Sequence, residues 1–262
     1  MQVRRPAMGM LARVGSPVLR FCSDVGEVSG LLGETLKWAV RPPWEGRELL
    51  RQMLRLGVQS VPVVFVTATF TGAVMTLQTY QGFQRFGATS FVGTLVALSV
   101  MRELAPVLTA LMVTGRSGSA IAAEIGTMQV TEQVEALEAM ATEPVQYLFV
   151  PRVLAGVTMM PLLVLVADAL AILGGRVVAV NLLGANPDDY DQSTWRVLEV
   201  NDLTSGLIKA AVFGFLFTLV ACARGYQARG GAEGVGRTTT NAVVSGSICI
   251  IVSDFFLSRM MF

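Results

Sequence analysis

The sequence predicts an all-α integral membrane protein. An N-terminal amphipathic helix lies in the membrane interface, five transmembrane helices follow, and a short cytoplasmic helix joins the second to the third. Two observations carry this. Apolar residues make up 53% of the 262-residue chain, and Asp, Glu, Lys and Arg only 15%, against roughly 25% charged in a typical soluble domain. The apolar residues are also gathered into runs that approach the length of a bilayer crossing, about 20 residues at a 1.5 Å rise.

Residues 1–57 are expected to form a cytoplasmic and interfacial segment. Its apolar residues are scattered, without the continuous central run of a signal peptide. Leu31, Leu32, Leu36 and Val40 recur at helical spacing before Pro42-Pro43, which suits a helix lying on the membrane surface or against a partner. Residues 58–262 form the spanning domain. Its expected spans are about 58–80, 91–114, 153–173, 207–223 and 242–257, the last two being short for a bilayer. Gly174 to Gly206 reads as an acidic, solvated connection carrying Asp188, Asp189, Asp191, Glu199 and Asp202. The glycine-rich stretch Arg229 to Gly236 reads as a flexible turn.

Lys and Arg set the orientation. One side holds Arg4, Arg5, Arg13, Arg20, Lys37, Arg41, Arg47, Arg51 and Arg55, then Arg116, Arg152, Arg224, Arg229 and Arg237. The other holds only Arg85, Arg176, Arg196 and Arg259. A cytoplasmic N-terminus and a periplasmic C-terminus are therefore expected.

Several chemistries are excluded. There is no histidine, so His-ligated metals and Ser-His-Asp hydrolysis are out. Cys22, Cys222 and Cys249 form no CxxC. The GxxxxGK[ST] phosphate loop is absent, so any ATP must be hydrolysed on another chain. The net charge of +1 gives no basic face for nucleic acid. The chain is expected to be no enzyme and to hold neither a cofactor nor a metal.

The scarce charges are the more informative part. Arg102 and Glu103 lie midway along the second span, Asp168 late in the third, Lys209 at the start of the fourth and Asp254 late in the fifth. A charge at bilayer depth costs about 2.5–3.5 kcal/mol on insertion scales and normally faces a bundle interior or a watery cavity. Arg102 and Glu103 point about 100° apart on a helix, so each needs a partner elsewhere. Pro106 frees the carbonyl of Arg102 from its helical bond and permits a kink. These charges suit either a lined cavity or simple helix–helix attachment, and Asp254 fits an interfacial position. Between the second and third spans, Thr131 reads as an N-cap with Glu132 in the first turn. Glu132, Glu135 and Glu138 form an acidic stripe beside Val134, Leu137 and Met140. Acidity on the cytoplasmic side suits a protein partner.

The run from Leu95 to Glu138, LVALSVMRELAPVLTALMVTGRSGSAIAAEIGTMQVTEQVEALE, closely resembles the MlaE (YrbE) permeases, the membrane subunits of lipid ABC transporters that work with MCE-domain proteins. Gly72 to Tyr80 (GAVMTLQTY), Pro151-Arg152 with Ala155-Gly156, Leu207-Ile208-Lys209 and Gly236-Arg237-Thr238-Thr239 extend the resemblance. It covers the chain from about Leu50 onward. It implies a homodimer in the bacterial inner membrane, a cytoplasmic ATPase carrying the ATP, and a periplasmic MCE-protein ring, with room for a small cytoplasmic regulator. The implied role is phospholipid transport in maintaining outer-membrane lipid asymmetry. It further implies that Arg102, Glu103 and Lys209 stand at an outward-facing lipid cavity. Met75, Phe86 and Leu104 would line the lipid path. Glu132, Glu135, Leu137 and Glu138, within residues 131–140, would belong to the helix that couples to the ATPase. Ala105 stands where many relatives carry glycine, and Phe86 where some carry tyrosine. From the intramembrane charges alone, an ion- or proton-coupled carrier that needs no ATPase remains the alternative.

Overall fold

The computed structural model describes residues 26, 30–31, 33–38 and 46–261. Leu32 and Val40 of the expected surface helix lie outside the described residues. Of the rest, 33–38 are helical, with Thr35 buried and its hydroxyl donating to the Leu31 carbonyl at 2.7 Å.

Eight helices organise the remainder. They are α1 (Gly46–Leu56), α2 (Val61–Gln84), α3 (Thr89–Val130), α4 (Gln133–Ala139), α5 (Val145–Asn181), α6 (Pro187–Trp195), α7 (Val200–Tyr226) and α8 (Gly231–Met261). Among the described residues there is no strand. Five helices are long and apolar enough to cross a membrane, namely α1 run into α2, then α3, α5, α7 and α8. The five expected spans are there, but every helix outruns its apolar core. α3 continues unbroken past Gly115 to Val130, so most of the expected cytoplasmic loop is helix. At 42 residues it measures about 60 Å, twice the hydrocarbon thickness. The fourth and fifth helices have 27 and 31 residues, far beyond the short runs that hydropathy picks out.

Small residues set the packing. Without a hydrophobic force between helices in lipid, close backbone approach supplies the contact energy. Gly72 of α2 lies against the Ala171 carbonyl of α5, where any Cβ would collide. A Cβ on Gly156 of α5 would sit 2.6 Å from the Gly214 carbonyl of α7. Thus α2, α5 and α7 stack through glycine contacts, and the lower half of α3 packs against α7 and α8. Of the five crossing helices α7 is the most buried and α8 the least.

The two ends of the bundle differ. At one end Glu124 of α3 receives Arg55 of α1 and Arg152 of α5, each at 3.2 Å. Here α4 packs Val134 and Leu137 onto a cluster of Ile121, Ile125, Leu148 and Phe149. At the other end α6 caps the bundle. Asn186 accepts from the Asp188 amide at 3.0 Å to start it, Thr94 donates to the Ser193 carbonyl at 2.8 Å, and Arg176 grips Asp191 at 2.6 Å. The acidic connection is therefore built structure: Gly174 and Gly175 lie inside α5, and Asp202 is buried. In the glycine-rich stretch only Arg229 and Gly230 lie outside the helices, Gly230 and the first helical residue Gly231 have positive φ, and Gly234 and Gly236 are helical.

Candidate functional site

Pro106 organises the centre of α3. Proline lacks an N–H and its ring crowds the carbonyl four residues back. The helix answers with a π-helical stretch over Val100–Leu104, a common response to a broken ladder. The Arg102 carbonyl, released in this way, accepts from the Lys209 ammonium of α7 at 3.0 Å.

Lys209 has no exposed surface. Its Nζ also reaches Glu103 at 2.9 Å, Ser258 Oγ at 2.7 Å and Asp254 at 3.2 Å. The Ser258 hydroxyl in turn lies 3.0 Å from Glu103 Oε1. Arg102 turns to a different partner, donating from Nε to Asp202 Oδ1 at 2.7 Å, with a second guanidinium nitrogen at the same distance. Asp202 Oδ2 accepts from the Glu199 amide at 3.1 Å, closing a capping box at the start of α7. One carboxylate thus starts a helix and anchors an intramembrane arginine. Adjacent residues on one helix are clamped by different side chains, as their 100° separation requires: Arg102 by Asp202, and Glu103 by Lys209 two turns further along α7 and by Ser258 of α8.

Burial across the cluster is uneven. Lys209 and Asp202 are enclosed, whereas the side chains of Arg102 and Glu103 are 38% and 41% exposed. Charge that faces outward at this depth needs water or protein against it.

The three charged residues singled out by sequence therefore meet. Lys209 shows no surface and holds Glu103 and Asp254 from behind. Met75 and Leu104 pack against the main apolar core. Phe86 stands 84% exposed on the turn after α2. Asp168 is buried on α5, its Oδ1 without a hydrogen-bond partner, and no bond draws it into the cluster. Sequence reasoning missed Asp202 and Ser258 and set Asp254 at the interface. A signal existed for Asp202: it stands seven residues, two turns, before Lys209, on the same buried face as Ser205 and Gly206.

The second candidate region is α4. Its helix runs from Gln133, not from Thr131. Thr131 ends α3, and Glu132 adopts a left-handed conformation with φ 61. The expected N-cap at Thr131 is therefore corrected: a reverse turn, not a side-chain cap, starts this helix. Glu135 and Glu138 face outward and Val134 and Leu137 inward, as the spacing predicts. Met140 falls past the helix end and is exposed. Outside the spanning helices, hydrogen bonding to Arg176 holds the Asp191 carboxyl below its ordinary range, and burial pushes the Tyr190 hydroxyl up.

A family model described as "Permease MlaE" matches residues 49–260. A probable ABC transporter permease protein of Rickettsia felis is 46% identical over 249 residues, covering 95% of this chain and 96% of the relative. A probable ABC transporter permease protein of Synechocystis sp. is 43% identical over 216 residues, 82% of each chain. The intermembrane phospholipid transport system permease protein MlaE of Haemophilus influenzae is 40% identical over 260 residues, covering 97% of this chain and 98% of the relative.

Proposed function

Because the chain belongs to the MlaE permease family, we propose that it is the permease subunit of an ABC transporter moving phospholipid between the bacterial inner membrane and a periplasmic MCE-domain partner. The observation that carries this reading is the outward exposure of Arg102 and Glu103 at membrane depth, on side chains whose far ends are fixed by α7 and α8. A second copy facing this surface would enclose the charges in a shared cavity. Lipid tails would lie on apolar walls and a headgroup would meet the charged rim. Met75, Leu104 and Phe86 are candidates for the walls. Family membership favours this reading over a self-sufficient ion- or proton-coupled carrier.

In the proposed cycle a separate cytoplasmic ATPase docks on α4, whose exposed Glu135 and Glu138 suit basic residues of a partner. α4 lies between α3 and α5 in the chain and packs on the cluster that joins them. Its displacement would thus reach both helices and compress the cavity from below. Basic residues concentrate at the α4 end, so that end, with the N-terminus, is cytoplasmic in this reading and the C-terminus is periplasmic. An MCE ring would sit over the α6 end, and a small cytoplasmic regulator could act through the ATPase.

The test is reconstitution of the whole complex into vesicles carrying labelled phospholipid, with ATP added. Transfer to acceptor should depend on ATP, and Glu103→Ala should slow it without dissociating the complex. Transfer at the unmodified rate would remove Glu103 from the lipid path. Failure of ATP to affect transfer in the native complex would overturn the transporter reading itself.

A further inference from the structure

A separate site lies at the opposite end of the bundle from the Lys209 cluster. A cavity of about 520 Å³ opens between α1, the Val58–Ser60 turn that joins it to α2, and the lower half of α3. Its polar lining is Gln52, Arg55, Gln59, Arg116, Ser117 and Glu124.

The charges here do not balance. Glu124 is shared by Arg55 and by buried Arg152. Arg116 is held only by neutral oxygens: the Arg55 carbonyl at 3.3 Å, Ser60 Oγ at 3.0 Å, Ser117 Oγ at 3.4 Å and Gln59 Oε1 at 3.0 Å. Among the described residues it has no carboxylate within ion-pair distance. Three guanidinium groups therefore gather around one carboxylate, which pairs with two of them. The hydrogen bonds hold Arg116 in one place, yet leave its charge uncompensated beside an open cavity. That is how a preorganised anion site is built, because guanidinium groups recognise phosphate with fixed geometry and remain charged at every working pH.

Position identifies the anion. The cavity lies where α2 enters its apolar run, and Arg116 is fourteen residues short of the α3 tip at Val130. Leu56 and Ile121 form part of its wall. Val58 on one side and Met112 on the other, each about one turn away along the chain, are exposed apolar residues. A phosphate at Arg55 and Arg116 would thus have apolar surface beside it on the membrane side. That is the layout of an amphiphile, not of a free ion.

We infer that this cavity binds the phosphate of a phospholipid from the leaflet at the α4 end, with Arg116 as its main contact and the half-exposed Arg55 as its second. The inference rests on the chain spanning a membrane and does not require transport.

The experiment measures equilibrium binding of short-chain phosphatidylglycerol to the purified permease in neutral detergent, without ATP. Inorganic phosphate is titrated in parallel. Arg116→Gln should weaken lipid binding by about tenfold, the loss of one charge-assisted contact, and Arg116→Lys by less. Arg55→Gln, at an exposed position whose loss leaves Arg152 on Glu124, should weaken binding without affecting the fold. Arg196→Gln at the other end should bind as the unmodified protein does. Undiminished binding by both Gln variants would overturn the site. So would inorganic phosphate binding as tightly as the lipid, or displacement of the lipid by added ATPase subunit, which would make the cavity a protein contact. Because no transfer is measured, loss of transport with binding intact would count against the proposed function and not against this site.

Discussion

Lys209 is the residue on which the intramembrane cluster turns. It is fully buried, and two carboxylates, a hydroxyl and a freed carbonyl converge on it. Removing one partner of a buried ion pair costs roughly 3–5 kcal/mol, because the other charge stays desolvated. Lys209→Met should therefore lower the melting temperature of the detergent-purified protein sharply. Adding Glu103→Gln to Lys209→Met should recover part of the loss, and strictly additive effects would show that the pair is not coupled. A smaller effect belongs to Asp191. Its carboxyl is held below the ordinary range by Arg176, so the pair stabilises the fold above the usual carboxylate pKa and the contribution fades as pH falls through the lowered value. The Asp191→Asn variant should differ in stability from the parent at neutral pH and converge with it in acid, as pH-dependent thermal melts would show. At this scale the sequence was informative where a charge interrupted an apolar run, as at Arg102, Glu103 and Lys209. It was silent on Asp202, because an acid in an acidic connection reads as solvated until the fold places it beside an arginine.

At the scale of elements, hydropathy marks the membrane and not the helix. The five crossings were legible for that reason, and their lengths were not. Backbone hydrogen bonds continue into polar sequence on either side, and α3 extends to Val130 through residues that no apolar run identifies. Pro106 was legible as a disturbance. The π-helical answer to it needed the structure, since only packing decides how a helix absorbs a missing bond. The short helix α4 was legible in its faces but not in its start. Glu132 and Ala141 at its two ends both have positive φ, a conformation that costs a non-glycine residue roughly 1–2 kcal/mol. Glu132→Gly should accordingly raise stability by about 1 kcal/mol in thermal melts, and no gain would mean that the turn relaxes without it. Glu135→Lys should leave those melts unchanged while reducing the amount of ATPase that co-purifies. Full recovery of the ATPase would move the docking surface off α4.

For the whole molecule, the exposure pattern separates lipid from water. Val63 and Phe65 of α2 and Ile251 and Phe255 of α8 present apolar surface, as lipid requires, whereas Arg102 and Glu103 present charge. Ser99 is partly exposed four residues before Glu103. In a variant lacking Cys22, Cys222 and Cys249, Ser99→Cys should react with a membrane-impermeant thiol reagent applied from the α6 side, and Val63→Cys should not. Equal protection of both would place Glu103 against lipid or dry protein. What no sequence pattern supplied is which face meets another chain, because a face built for lipid and one built for a second apolar helix share a composition.

The ion pairs around Arg102 and Glu103 also set an order in time. Asp202 follows Arg102 by 100 residues, Lys209 follows it by 107, and Ser258 follows Glu103 by 155. At roughly 5–20 residues per second of synthesis, the first hundred residues take about 5–20 seconds. For that interval α3 carries two charges into the bilayer with neither of their folded partners, Asp202 and Lys209, yet made. The nascent helix must wait in the insertion machinery, or with its charges drawn toward water, until α7 and then α8 arrive. A ribosome arrested before α7 should hold α3 with neither Asp202 nor Lys209 to pair Arg102 and Glu103, and a cysteine at Val100, buried in the completed chain, should then be chemically accessible.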